Sequence, residues 1–450
     1  MKSKAIAVAV MGACLAPGLA GATDGYFSHG YGMKSKGMAG ATTAYTGDTF
    51  GGATNPATMV WVGNRFDLGI DLFSPDRDAA RTGSPTATVG LDGSVTSGDT
   101  MFFIPEFGYN KMLSPDLSLG VTVYGNGGMN TNYPGGQITS AAGTGTCNFF
   151  QTGGLGTPKA SYNMLCGDGN LGVDLSQLIF APTLSWKMMP NQSIGISPLL
   201  GYQRFKAEGL QGFAGFSTDA SKLTNNGYDT ATGWGVRFGW LGKLSDSVSI
   251  GAAYSTKIAM SKFSKYAGLF AEQGGFDMPA NWSIGAAFKA APKLTVLADY
   301  KQINYSGVKS VGNSSTFAVA GNPGIPNSLG GTDGRGFGWQ DVNVIKLGLE
   351  YQWSDALTVR GGYGKSKNPI RSADVTFNIL APGVVQDHWT AGFTYGVASD
   401  SDITMAAMYA PRKSVTGASL FDQFMGAGAG GTETISMSEY SVGVAWQKRY

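Results

Sequence analysis

Only two histidines, His29 and His388, stand among the 450 residues. A hydrolytic enzyme needs a nucleophile with a base beside it, and neither histidine lies in a Gly-x-Ser-x-Gly setting. Lone histidines more often serve structure than proton transfer. Loop Asp and Asn residues are too scattered for a calcium loop, and no metal or nucleotide motif is present, so no cofactor is expected. Cys147 and Cys166 form a close pair that suggests a disulfide within one loop. What remains is a set of isolated cations, Arg204, Lys206, Arg237, Lys346 and Arg360, whose chemistry would be to bind a carboxylate.

The elements that must position these residues follow from composition. Charged residues make up only 14% of the chain and aromatics 12%, with 69 glycines. The first 22 residues hold Lys2 and Lys4, an apolar run from Ala5 to Leu15, and Ala20-Gly21-Ala22, the pattern of a cleaved export signal. Its loss removes two of the 32 basic residues and none of the 30 acidic ones, leaving the charges balanced. No charge excess recommends nucleic acid as a partner. No other run of about 18 apolar residues exists, so no transmembrane helix is expected.

From Arg65 onward the chain alternates. Leu117, Leu119, Val121 and Val123 interleave with Ser118, Gly120 and Thr122; Ile345, Leu347, Leu349 and Tyr351 interleave with Lys346, Gly348 and Glu350. Period two means strands with one apolar and one polar face. Such strands suit a soluble sandwich or a membrane barrel with its apolar face turned outward. Strands of about ten residues match a tilted bilayer crossing, and Trp or Tyr often stands at the ends of the apolar rows, as an interfacial girdle requires. Six short Ser/Asp/Asn/Pro turns, near 113–116, 189–192, 244–247, 291–293, 354–356 and 399–401, alternate with seven long segments near 75–99, 128–173, 209–230, 259–278, 306–340, 368–384 and 412–434. These connect fourteen strands, an even number, as a bacterial outer-membrane barrel requires. The alternation turns Arg237, Lys346 and Arg360 to the lumen, where such charges also simply hydrate the interior.

Such a barrel is wide enough for an open pore unless filled. Residues 23–64 lack period two and precede the first strand, so they are the available filler. Within them Asn55 suits a helix cap, Pro56 a first turn and Gly63 an end. Gly37-Met38-Ala39-Gly40-Ala41 followed by Asn55-Pro56-Ala57, the run Tyr124-Gly125-Asn126-Gly127-Gly128-Met129-Asn130, and the run Tyr266-Ala267-Gly268-Leu269-Phe270 through Phe276 together resemble the FadL-type outer-membrane transporters, from about Gly25 to Tyr450. The resemblance implies an all-β, fourteen-stranded antiparallel transmembrane β-barrel over 65–450, plugged by an N-terminal hatch over 23–64, in the outer membrane of a Gram-negative bacterium.

It also implies a channel for uptake of hydrophobic small molecules: long-chain fatty acids or, in the TodX-like branch, aromatic hydrocarbons. Asn55, Pro56 and Ala57 would pivot the hatch. Gly125, Gly127 and Gly128, placed where alternation stops in the third strand, would open the wall sideways into lipid. Phe213, Phe216, Leu269, Phe270 and Phe276 would line an outer apolar groove, since exposed apolar clusters usually bind. The expected partners are the hydrophobic substrate and outer-membrane lipid, with the barrel a monomer. The chain is expected not to be an enzyme; an outer-membrane lipid hydrolase and a passive porin or adhesin are the rival classes.

Overall fold

The computed structural model describes residues 24–316 and 328–450; the export signal expected over 1–22 lies outside them. Fourteen long strands follow in order: β1 (Arg65–Thr82), β2 (Phe102–Ser114), β3 (Leu117–Tyr133), β4 (Leu171–Met189), β5 (Gln192–Glu208), β6 (Asp229–Lys243) and β7 (Val248–Ser255). The second half holds β8 (Asn281–Ala291), β9 (Leu294–Ile303), β10 (Val342–Gln352), β11 (Leu357–Ser366), β12 (Asp387–Ala398), β13 (Ser401–Ala418) and β14 (Thr432–Arg449). Each pairs with its successor, and β14 closes on β1 from Arg65↔Arg449 to Thr82↔Thr432. The result is the closed fourteen-stranded antiparallel barrel that the turns and periodicity predict. Two short strands lie outside it: Gly93–Thr96 on β1 and Ala259–Met260 on β6.

The burial pattern is that of a soluble protein turned inside out. On β10, Ile345 is 56% exposed while its neighbour Lys346 is 4% exposed. Leu347, Leu349, Phe393, Met405 and Val444 are likewise exposed, whereas Asp67, Asp71, Arg237 and Thr404 are buried. An apolar exterior costs nothing against hydrocarbon, and the polar interior finds partners in the lumen. Aromatic pairs mark both edges of the belt. Phe66 packs on Trp446 and Tyr351 on Trp353 at the turn end; Tyr363 packs on Trp389 towards the loop end.

All six short turns fall where the Ser, Asp, Asn and Pro residues place them. The long segments need correction. β1 continues to Thr82, β3 to Tyr133, β4 starts at Leu171 and β13 reaches Ala418, so strands occupy parts of the segments read as loops. Above the bilayer a strand can be covered on both faces. Leu171 through Leu175 are buried without interruption, so the alternation that marks a half-buried strand is lost although pairing continues. For the same reason Gly125, Gly127 and Gly128 lie inside β3, at a register shift against β4, and not at its end. The long loop after β3 folds into a helix, Ala141–Thr152, and Cys147 on it is disulfide-bonded to Cys166.

The outward face carries a direct stability test. Leu347→Arg, mid-strand on β10, is expected to cost about 2–4 kcal/mol, the range for a cation on the lipid face at the bilayer midplane. Urea unfolding of the barrel refolded into liposomes measures it; no loss would place this face away from lipid.

Candidate functional site

Residues 24–64 lie inside the barrel, and the lumen-facing polar positions hold them there. The Asp299 carboxylate on β9 accepts from Thr42 N and Thr43 N at 2.8 Å and from Thr43 Oγ1 at 2.7 Å. Lys36 reaches Asp71 at 2.9 Å and Glu106 at 3.4 Å. Asp67 accepts from Thr49 N at 2.8 Å, and Ala39 N donates to Thr390 Oγ1 at 2.9 Å. These partners come from β1, β2, β9 and β12, on widely separated parts of the wall.

Asn55, Pro56 and Ala57 form a junction of this plug. Pro56–Trp61 is a 3-10 helix; the Asn55 side chain accepts from Ala57 N, and Pro56 stands at its first turn. The Asn55 amide also donates to Thr43 O at 2.8 Å and to Trp240 O, on β6, at 2.9 Å. Trp61 Nε1 donates to Ser193 Oγ at 2.8 Å, and Lys243 sits 3.7 Å from the Trp61 ring centroid. The wall makes room with glycine: a Cβ at Gly239 would collide with Asn55 Oδ1, and one at Gly195 with Pro56.

Between β2 and β3 the ladder of the wall stops short. β2 pairs with β1 from Phe102 onward, but with β3 only from Glu106↔Tyr124 downward. The next register position sets Pro105 against Gly125, and proline has no N–H to offer a ladder. One residue on, β3 bulges between Gly125 and Gly127. Residues 26–28 of the plug fill the hydrogen bonds from inside: Ser28 N donates to Asn126 O and Gly128 N to Tyr26 O, both at 3.1 Å. A pocket lies at this break, lined by Gly25, Phe73, Arg77, Gly128, Met129, Asn130, Trp339 and Gly383 among others. Pro105 was missed by the sequence reading. A proline in a run that otherwise reads as an inner strand was the available signal.

A second pocket, about 470 Å³, lies among the outer loops. Phe213, Leu269 and Phe270 line it, together with Phe205, Phe337 and Phe377. Phe276 stands behind, its ring 4.8 Å from that of Phe270, and Phe216 packs instead on Phe424 at 4.5 Å. The structure thus brings three of the five predicted groove residues onto one surface and the other two into its support.

The five cations do not converge. Lys346 pairs with Asp24 at 2.9 Å and donates to His29 O. Arg237 donates to Gly52 O and to the Tyr124 hydroxyl. Arg360 pairs with Glu350 at 2.7 Å, Arg204 with Asp174 at 3.6 Å, and Lys206 with Glu208 at 3.1 Å. None lines the outer pocket; Arg335 does. Alternation tells which side of the wall a cation faces, but not that a plug carboxylate or carbonyl will be waiting there. The histidines meet in the lumen with ring centroids 6.2 Å apart. Burial, with His388 and Lys36 nearby, holds the His29 imidazole well below its ordinary pKa, so it is neutral at pH 7.

The chain matches a family model described as "Outer membrane protein transport protein (OMPP1/FadL/TodX)" over residues 146–423. Among solved structures it is similar to the toluene transporter TodX of P. putida, with TM-score 0.64 and 20% identity over 94% of this chain and 99% of that one. It is similar to the toluene transporter TbuX of Ralstonia pickettii, with TM-score 0.59 and 18% identity over 94% and 99%. A FadL homologue of Pseudomonas aeruginosa gives TM-score 0.63 and 14% identity over 94% and 99%. At these identities the likeness is one of fold. No curated protein matches by sequence.

Asn55→Ala removes one cap bond and two bonds to carbonyls, and should loosen the plug by about 1–3 kcal/mol. Hydrogen exchange should then speed at amides of residues 42–62 while that of the strands stays as it was; unchanged exchange across the plug would show that Asn55 does not pin it.

Proposed function

Since the chain belongs to the OMPP1/FadL/TodX outer membrane transport proteins, carriers of hydrophobic molecules across the outer membrane, we propose that it takes up a neutral hydrocarbon of the monoaromatic class and releases it sideways into lipid. The observation that carries this reading is the pairing of an apolar outer pocket with a break in the wall. Capture at Phe213, Leu269 and Phe270 removes an apolar molecule from water. Release beside Gly125, Gly127 and Gly128 delivers it to the bilayer without a water-filled passage. Asn55, Pro56 and Ala57 hold the plug that closes the lumen below, so that the barrel is a gated route and not a pore.

A neutral cargo is favoured because the predicted carboxylate ligands Arg204, Lys206, Arg237, Lys346 and Arg360 are all engaged within the protein. Two of the similar structures are toluene transporters, which supports the same choice. A second reading, long-chain fatty acid uptake, is favoured by the one cation at the pocket, Arg335. The chemistry of both readings is binding and passage, with no bond made or broken.

Cells carrying the barrel should accumulate radiolabelled toluene faster than cells lacking it, with oleate uptake unchanged. Oleate uptake that depends on the barrel and falls in Arg335→Gln would replace the first reading by the second. Phe213→Ala and Phe270→Ala should each weaken capture by about two- to tenfold, the worth of an aromatic contact.

Gly127→Val with Gly128→Val should block uptake while leaving the barrel folded, because a side chain at Gly128 fills the pocket at the wall break and one at Gly127 crowds the bulge beside it. Heat-modified mobility on a gel reports the folding, and normal uptake by a folded variant would refute the sideways exit.

A further inference from the structure

The apolar outer pocket and the pocket at the break, which Arg77 and Asn130 also line, share a wall made of two chain segments. Gly336 and Phe337 face the outer pocket, while Trp339 lines the pocket at the break. Phe377 and Leu380 face the outer pocket, while Ala381, Pro382 and Gly383 line the inner one. One side chain ties the segments together. Asn378 Oδ1 accepts from Trp339 Nε1 at 2.5 Å, and Asn378 Nδ2 donates to Phe337 O at 2.7 Å and to Asp374 O at 2.8 Å. Both halves of the amide are therefore spent on holding this wall.

Trp339 is the bulky member. It is buried, with its ring 5.1 Å from Tyr305 and 5.7 Å from Tyr26 of the plug. Behind it the chain is drawn close: a Cβ at Gly383 would stand 3.1 Å from the indole. Leu380 is fixed in turn to β3, where its carbonyl accepts from Thr131 Oγ1 at 2.8 Å. The surroundings of the indole are thus firmly held; packing on Tyr26 and Tyr305 holds its rings, and its one polar atom is satisfied by the Asn378 side chain.

We propose that Trp339, clasped by Asn378, is the partition between the outer pocket and the pocket at the wall break, and sets the size of cargo that passes. This rests on the route proposed above. A cargo in the outer pocket reaches the break by displacing the indole, so passage falls steeply as the cargo grows beyond one ring. Trp339 acts here as a specificity-determining residue, while capture belongs to Phe213 and Phe270.

The test compares the transit of toluene and naphthalene through the barrel in cells, with binding of each to the purified barrel measured by headspace gas chromatography. Trp339→Ala should raise the naphthalene-to-toluene transit ratio about tenfold, and Trp339→Phe, which keeps a ring but loses the N–H, about threefold, the span that one net hydrogen bond carries. Binding should stay within about twofold of the parent, since Trp339 is not part of the capturing surface. An unchanged or lowered ratio in folded Trp339→Phe, with binding intact, overturns the partition. Trp339→Phe also carries the test if Trp339→Ala fails to assemble. Failure of the route is distinguishable: Phe213→Ala and Phe270→Ala would then leave the transit of both hydrocarbons at the parent rate.

Discussion

In hydrocarbon an unpaired backbone amide has no water to turn to, so each N–H and C=O of a membrane-spanning strand must find its partner within the wall. This demand closes β14 onto β1 along their full length and leaves the barrel no edge. It also makes the early end of the β2–β3 ladder informative. Above Glu106 and Tyr124 the β2–β3 ladder stops, and three devices limit the cost. Pro105 brings no N–H to be orphaned. The bulge at Asn126 bends β3 away. Residues 26–28 then bond to Asn126 and Gly128 from inside. The opening and the start of the plug are therefore parts of one hydrogen-bonding arrangement.

The same reversal of solvent governs the lumen. Charged groups that would be hydrated on a soluble protein face inward, and Asp71, Glu106, Asp299 and Lys346 among them find their partners on the plug. Breaking one buried ion pair by removing a partner costs about 3–5 kcal/mol. Expelling residues 24–64 as a body would separate Lys36 from Asp71 and Glu106, Asp24 from Lys346, and the Thr42–Thr43 amides from Asp299 at once. Local movement near Gly25 and Tyr26 disturbs fewer of these contacts. The plug thus serves better as a fixed floor that shapes the pockets above it than as a stopper that leaves the barrel.

Much of this was legible in the sequence, and the limits have physical causes. Alternation and the six turns give the strands and their number because the bilayer forces one apolar face on every crossing. The pattern fails where that force ends. Beyond the membrane β3 and β4 continue with both faces covered, so residues such as Leu171 and Val173 read as loop, while β1 and β13 continue with polar residues such as Asp76, Asp78, Arg412 and Ser414 on the outward face. The outer groove was legible in part because Phe213, Leu269 and Phe270 are large apolar residues in polar loops. Trp339 and Asn378 were not, because the hydrogen bond that joins them spans two loops and no spacing announces it. The partners of the cations are hidden for the converse reason: alternation fixes the side of the wall for Lys346 and Arg237, while those partners lie more than a hundred residues away.

The division of polarity along the barrel axis gives the proposed route a direction. The upper half offers an outer pocket bounded by phenylalanines and a second one at the break lined by Phe73, Met129 and Trp339, with Arg77 and Asn130. Below them lies a cavity of about 410 Å³ lined by His29, Thr43, Asp299, Lys301 and Lys346. Nearer the turns, a larger polar vestibule of about 1450 Å³ is lined by Tyr45, Lys243, Asp246, Lys289 and Glu350. An apolar molecule moving down the lumen would leave a site that removes it from water for one that returns it to polar surroundings. Moving sideways at β2–β3 it enters lipid instead and keeps what burial has gained. On the proposed route, charge pairing in the lower lumen therefore does two things at once: it holds the plug in place, and it makes the membrane the lower-energy destination for an apolar cargo.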